Sequence, residues 1–471
     1  MGLLRKSKPH SINIGGRGKA AAALAGLVLL PVGAPAAAQV APTLVRISTD
    51  RTTTANAQHA TQVEPDAAAA GSRIVATFQV GRFFGGGAGA IGFATSTNAG
   101  RNWRDGILPL SSSFGSDPVV AYDALHARWL VATLSSAAGQ SVIFVSGSPD
   151  GLAWESPVTA IAYPRGPAGT ALDKEWIGCD NGPTSPFRGR CYLAYTDIAH
   201  DSDPNHSGSH IAVQTSSDGG RSWTPPVLLS VDADIVSPGV QIIVRPNGEL
   251  VVVFFEDGLV EAVRSNDGGA TFAARERISG LAVHQRPVRP TRLRAFTLPT
   301  ATVDAAGTVY VAWFDCRFRP NCAADDIVFS RSAAARQWTR PRRIPLAALR
   351  STTDLVLPDL AADPASRGSR ARLALTYYAV SSADCTEATC RLDVFLVTSR
   401  TAGRLWAKPR RLNARRMRLG WLAQTTSGRM VGDYFGTVFS GTRVVSVHVQ
   451  ARAPRAGRFN EAVHAFSLTL P

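Results

Sequence analysis

The stretches SSDGGRSW (Ser216 to Trp223) and SNDGGATF (Ser265 to Phe272) share serine, aspartate, glycine and an aromatic ring at positions one, three, five and eight. Looser copies keep the frame: STNAGRNW at Ser96 to Trp103, SRTAGRLW at Ser399 to Trp406, a shortened SPDGLAW at Ser148 to Trp154 and a worn SRSAAARQW at Ser330 to Trp338. A carboxylate or amide at position three can accept turn N–H groups, while the glycine at position five supplies a positive φ. The aromatic ring is then free to pack between neighbouring sheets. Each copy therefore marks a hairpin and not a reaction centre.

Ahead of each marker lie further runs rich in β-branched and aromatic residues, such as Val309 to Trp313 and Ile327 to Phe329. The order strand, turn, strand, loop, strand, marker, strand recurs from Glu64, Asp117, Asp173, Val240, Pro299, Pro358 and Asp433. The fold expected is an all-β propeller of four-stranded antiparallel blades, seven preferred over six. The last unit lacks a marker and a fourth strand, and Thr43 to Ser48 (TLVRIS) is expected to supply that strand from the other end of the chain, removing exposed edges. No segment sustains helical apolar spacing.

The serine-aspartate-glycine-aromatic frame resembles the Asp box (BNR repeat) of sialidase-like propellers, over nearly all the chain beyond the first 38 residues. The resemblance implies a glycoside hydrolase of exo-sialidase type acting on terminal acidic sugars, or a non-catalytic propeller that binds glycans or cell-envelope partners. In that family an arginine triad holds the sugar carboxylate, because a guanidinium matches a carboxylate in two hydrogen bonds. A tyrosine activated by a glutamate attacks the anomeric carbon, and an aspartate serves the leaving group. Tyr434, in GDYFG, resembles the nucleophile's setting. Arg46, in Val45-Arg46-Ile47-Ser48, stands for the first family arginine without the usual proline, and Arg343-Ile344-Pro345 has the letters in the wrong place. Sialidases typically have six blades, so a seventh is a departure.

In a propeller, inner strands begin and second strands end on one face, with the marker turns on the other. That face collects Asp197, Glu256, Asp257 and Asp315 from second-strand ends, and Asp117, Asp173, Lys174, Glu175, Asp359, Asp433 and Tyr434 from inner-strand starts. Such a ring of acids serves sugar hydroxyls and acid–base work, or simply caps strand ends. The roles expected are Tyr434 as nucleophile, Glu256 as its base, Asp315 as acid, and Arg317, Arg319 and Arg46 as anion binders. A metal reading of HDSDPNH, His200 to His206, is weaker than that of a solvated loop. No P-loop or dinucleotide fingerprint occurs, and no cofactor or metal is expected.

Residues 1–38 read as an export signal: five basic residues from Arg5 to Lys19, the apolar run Ala20 to Leu30, then Ala36-Ala37-Ala38 before a cleavage site. The remainder, 39–471, is expected to be one domain, secreted or periplasmic, without a membrane span, and monomeric. Six cysteines fall into the close pairs Cys179 with Cys191, Cys316 with Cys322 and Cys385 with Cys390, as loop staples suited to an oxidising compartment. The formal charge is +15. Such a field favours an anionic partner, here read as an acidic glycan and not nucleic acid, and Lys408, Arg410, Arg411, Arg415, Arg416 and Arg418 crowd one short segment.

Overall fold

The computed structural model describes residues 42–110, 112–164, 172–198, 210–229, 239–256, 258–284 and 292–470, within the compact unit Val40–Pro471. The expected export signal, Asp257 and the loop His200 to His206 lie outside the described residues. Apart from three-residue 3-10 turns such as Pro320–Cys322, the regular elements among the described residues are β-strands. No helix among them is long and apolar enough to cross a membrane.

The strands form antiparallel groups in chain order. The first is Gln58–Ala70, Arg73–Arg82, Ala88–Ser96 and Arg104–Ile107; the second is Gly115–Asp123, Arg128–Ala137, Gln140–Ser148 and Val158–Pro164. Then come Leu172–Cys179, Cys191–Asp197, His210–Ser216 and Val227–Leu229, followed by Gln241–Val244, Leu250–Glu256, Leu259–Ser265 and Glu276–Gly280. The fifth is Thr300–Val303, Val309–Asp315, Asp326–Ser332 and Arg342–Arg343. The sixth is Asp354–Ala362, Leu373–Val380, Arg391–Ser399 and Arg410–Arg411, with Met417–Arg418 also on Arg391–Ser399. The last is Gly436–Ser440, Arg443–Ala451 and Glu461–Thr469, and Thr43–Arg46 pairs with Glu461–Thr469, placing Thr43 opposite Ser467 and Arg46 opposite His464. This is a propeller-type arrangement of four-stranded antiparallel sheets.

The groups are held by burying one another's faces. Leu130 and Ala132 share a buried cluster with Leu193 and Tyr195, Tyr192 and Val213 with Ile242 and Val252, and Val251 and Val253 with Val311 and Trp313. Each pair joins consecutive groups, so the apolar residues on both sides of a sheet leave water. The marker rings add to these seams: Trp154 lies against Phe93 of the first group and Trp406 against Phe329 of the fifth.

The marker turns have the expected chemistry. Asp218 Oδ1 accepts from the N–H groups of Arg221 at 2.9 Å and Ser222 at 3.0 Å, and Ser216 Oγ accepts from Gly220 N–H at 2.9 Å. Asp267 with Ser265 and Asn98 with Ser96 repeat the pattern. Glycine is required at Gly220 twice over: its φ is +78°, and a Cβ there would stand 2.8 Å from Leu130 in the preceding group. Gly100, in the first group, meets Val445 of the last group in the same way, at 3.0 Å. The worn copy is displaced by two residues from its expected start at Ser330. Ser332 ends the strand and accepts from Ala334 and Arg336 N–H, while Ser330 lies within the strand and donates to Thr339 O. With alanine where the acceptor belongs, nothing in the letters marks that frame. All three expected disulfides are present: Cys179–Cys191, Cys316–Cys322 and Cys385–Cys390.

Candidate functional site

Four inner strands share a device that the letters do not announce. Each carries a β-bulge near its start, at Glu64-Pro65, Asp117-Pro118, Lys174-Glu175 and Leu357-Pro358. At each, a non-glycine residue takes positive φ: 56° at Glu64, 48° at Asp117, 47° at Lys174 and 52° at Leu357. A bulge re-aims one side chain out of the ladder, and backbone held in this region has a cost that surrounding structure must sustain. Three of the four turn a charged residue into the same neighbourhood.

That neighbourhood is a linked polar cluster at the start of the inner strands. Glu64 accepts from Gln79 Nε2 and from Asp433 N–H; Gln79 also donates to Ser116 Oγ at 3.3 Å, and Ser116 donates to Asp117 Oδ1 at 2.9 Å. Asp433 receives a two-pronged ion pair from Arg294, with Nε at 2.9 Å from Oδ1. Asp173 accepts Lys174 N–H at 3.0 Å, and the Asp117 carboxyl is near enough to act on it. Tyr434 is 5% exposed; its ring lies 3.8 Å below Lys174 Nζ and edge-on to Trp176, and its phenol donates to Pro118 O at 3.2 Å.

Burial dominates the protonation equilibria. It pushes Asp173 up to about 7, with the Asp117 charge adding to the rise. Burial likewise raises Asp66 and Asp359 to about 7, and lifts Glu64 and Glu175 well above the carboxylate range, aided in both by Asp117. The Tyr434 phenol is pushed up first by burial and then by Glu64, Asp117, Glu175 and Asp66. Burial lowers the Arg82 guanidinium; at Arg294 it acts the same way, but Asp433 and Glu64 outweigh it and the pKa is raised. Lys174 Nζ and both Glu175 carboxylate oxygens are buried without hydrogen-bond partners among the described residues. Trp176, Gln241, Asp66, Asp359 and Thr437 line a cavity of about 270 Å³ that continues along the inner strands past Ala67, Ala301 and Ala361.

The residues expected to act together are distributed otherwise. Tyr434 is in the cluster. Glu256 ends the second strand of the fourth group, where Arg275 binds it. Asp315 is fully buried and accepts from Trp313 Nε1 at 3.2 Å, Ala282 N–H at 3.3 Å and Arg317 Nε at 2.8 Å. Arg319 is spent on Asp326 and on the carbonyls of Ala348 at 2.8 Å and Ser351 at 2.7 Å. Arg46 is exposed on the outermost strand, with Nε on Ser48 O. No contact of Tyr434 among the described residues is to any of these. Besides Lys174, the cations brought to the cluster are Arg82, from a second strand, and Arg294, from the loop before the fifth group, and no motif flags either of these arginines. Glu64 had a signal: the Xaa-Pro dipeptides Glu64-Pro65, Asp117-Pro118 and Leu357-Pro358 recur at inner-strand starts. Among the described residues no group of His, Cys, Asp and Glu has the arrangement to hold a metal ion.

No family model and no curated protein sequence matches the chain. Among solved structures it is similar to an ulvan lyase, at TM-score 0.49 and 10% identity, over 88% of this chain and 95% of that one. An α-L-arabinofuranosidase of Fusarium graminearum gives 0.46 and 13%, over 90% and 97%. The NanB sialidase of Streptococcus pneumoniae gives 0.44 and 11%, over 90% and 71%.

Proposed function

We propose that this chain is an exported, glycan-active propeller of seven four-stranded blades, and that the polar cluster at its inner-strand starts cleaves a glycosidic bond using carboxyl groups as acid and base. Two observations support the ring: Thr43–Arg46 completes the last group as its fourth strand, and the first group's turn packs on the last group as every other turn glycine packs on its predecessor. Disulfides and the lack of a membrane-crossing helix among the described residues are consistent with an extracellular or periplasmic site.

The neighbouring carboxyls Asp117 and Asp173, with Asp173 pushed up to about 7 by burial and by the Asp117 charge, carry the catalytic reading. A carboxyl that keeps its proton near neutrality can donate it to a departing sugar oxygen, and Asp433, held by Arg294, supplies the second carboxyl that glycoside cleavage needs. Tyrosine attack is not part of this proposal, because the Tyr434 phenol is spent on Pro118 O and its neighbours oppose its ionisation. The substrate class is a neutral or amino sugar. Glu64, Asp66, Asp117, Asp173, Glu175, Asp359 and Asp433 offer hydrogen bonds to hydroxyl or amino groups with or without their protons, whereas Arg294 is taken by Asp433 and Arg82 donates to Gly87 O, which leaves no arginine pair turned to a sugar carboxylate.

A second reading, glycan binding without cleavage, is favoured by the capping contacts of the same acids: Asp66 accepts Val120 N–H at 2.8 Å and Asp173 accepts Lys174 N–H at 3.0 Å. The deciding assay is a panel of fluorogenic neutral, amino and sialic glycosides with wild type and Asp173→Asn. Hydrolysis of a neutral or amino glycoside, reduced about 100-fold or more in the variant, is expected for a general acid. Retention of glycans without release from any member of the panel establishes the binding reading. Turnover of the sialoside alone overturns the assignment of substrate class.

A further inference from the structure

The polar cluster makes no use of the basic segment on the outer edge of the sixth group. Its outermost strand is built in two pieces. Arg410–Arg411 pairs with Leu396 and Phe395, and Met417–Arg418 pairs with Leu392 and Arg391, so both pieces lie along the same edge of Arg391–Ser399. Between them Asn413 turns inward: its Oδ1 accepts Val394 N–H at 3.0 Å and its Nδ2 donates to Asp393 and to Arg415 O. That plug lifts Ala414, Arg415 and Arg416 outward. Lys408, Arg410, Arg411, Arg415, Arg416 and Arg418 are all exposed.

Compensation is slight. Among the described residues the only carboxylate that pairs with these cations is Asp393, at 3.0 Å from Arg416 and 3.7 Å from Arg411. Arg391 and Arg418 face each other across the strand pair, an arrangement that works against stability. The fifth group offers an internal comparison, because its outermost strand repeats the tripeptide as Pro341-Arg342-Arg343. There Arg343 is drawn onto the buried Asp326 and onto Ala347 O. A charged edge strand also prevents sheets from adding to one another, but one or two cations suffice for that.

We propose that this edge is a docking surface for a linear acidic polysaccharide. From the position opposite Leu396 to the position opposite Arg391 the row spans five residue steps of strand, about 17 Å, which suits repeated charges on a polymer and not a single small anion. Guanidinium groups match carboxylate and sulfate groups with paired hydrogen bonds. Exposed aromatic rings, on which nucleic-acid bases would stack, do not interleave the row: Trp406 and Trp421 are only partly exposed. The disulfides are consistent with an extracellular or periplasmic setting, where acidic glycans occur.

The test uses the full chain with labelled polygalacturonate, dextran sulfate, neutral dextran and a DNA duplex, in low and in physiological salt. Binding to the first two above neutral dextran, weakened by salt, is expected, and the stronger of the two identifies carboxylate or sulfate as the anion. Arg410→Ser/Arg411→Ser/Arg416→Ser should lower affinity at least about tenfold, whereas Arg336→Ser/Arg340→Ser/Arg342→Ser, which removes equal charge from another exposed stretch, should change it less than about threefold. If the first variant does not fold, judged by thermal unfolding, Arg415→Ser/Arg416→Ser in the lifted loop replaces it. Equal losses in both variants, no loss in the edge variant, or tighter binding of the duplex than of either acidic glycan overturns the proposal.

Discussion

Replacing Tyr434 by phenylalanine separates a tyrosine nucleophile from a buried structural phenol. The substitution removes one O–H, which donates to Pro118 O at 3.2 Å, and keeps the ring beneath Lys174 and beside Trp176. A hydrogen bond of this kind contributes about 0.5–1.5 kcal/mol, and the abandoned Pro118 carbonyl, buried with the phenol, puts the loss near 1.5. For a folded unit of this length that loss displaces the melting temperature by only about 1–2 °C, so the urea midpoint followed by tryptophan fluorescence is the better measure. Turnover of whichever glycoside the wild type cleaves should fall by less than about tenfold, since nothing made only in the transition state has been removed. Tyr434→Ala is the companion: it empties the space under Lys174 and should destabilise by about 3–5 kcal/mol. A drop in kcat of about a thousandfold or more in Tyr434→Phe, with an unchanged urea midpoint, would refute the reasoning and make the phenol the attacking group.

Three further outcomes follow from contacts elsewhere. Arg319→Ala should destabilise by about 3 kcal/mol or more, because the buried Asp326 loses its two-pronged, fully buried partner and keeps only Arg343, and the carbonyls of Ala348 and Ser351 lose their donor, whereas Arg317→Ala, which removes a partly exposed partner of Asp315, should cost less; equal effects in chemical denaturation would count against the difference in burial. Gly436→Ala should lower stability by at least about 1–3 kcal/mol, since its Cβ would stand 2.5 Å from Ala67 N where the first and last inner strands meet, and a variant as stable as wild type would place those strands farther apart. The third concerns pH. Asp66, Asp173 and Asp359 have folded pKa values raised to about 7, so their contribution is complete below pH 4 and is lost as pH rises through 7. Burial lowers His448 to about 3 and His464 to about 4, and their contribution is lost in the opposite direction, as pH falls from 6.5. Three carboxyl groups against two imidazoles leave a net loss of about 1.4 kcal/mol per pH unit between about 4 and 6.5, and the raised Glu64, Glu175 and Glu461 steepen it. Thermal unfolding should therefore show a higher midpoint at pH 5 than at pH 7.5, and Asp66→Asn should flatten the difference; a midpoint that is highest at pH 7.5 would show that these carboxyl groups are solvated.

What the letters reveal and what they conceal divides along the distance over which the chemistry acts. Asp218 and Ser216 are readable as a turn because every partner they use lies within six residues, and the cysteine pairs because no partner is more than 12 residues away. The worn turn at Ser332 was misplaced once its acceptor had become alanine, which left the hydroxyl alone to mark the frame. In the polar cluster the contacts that bring the groups together are not local. Arg294 reaches Asp433 across 139 residues and Glu64 accepts Asp433 N–H across 369, so their meeting depends on how the sheets are set beside one another. Glu256 and Asp315 looked equivalent to the inner-strand acids because Asp and Glu at strand ends are spelled alike whether they face a cavity or a neighbouring arginine. The bulges decide which: positive φ at Glu64, Asp117 and Lys174 turns these side chains out of the ladder, and Asp315, in a regular strand, is left to Arg317, Trp313 and Ala282. A repeated Xaa-Pro at inner-strand starts is the nearest trace of that backbone choice in the sequence. Only at Lys174-Glu175, where no proline follows, does even that trace vanish.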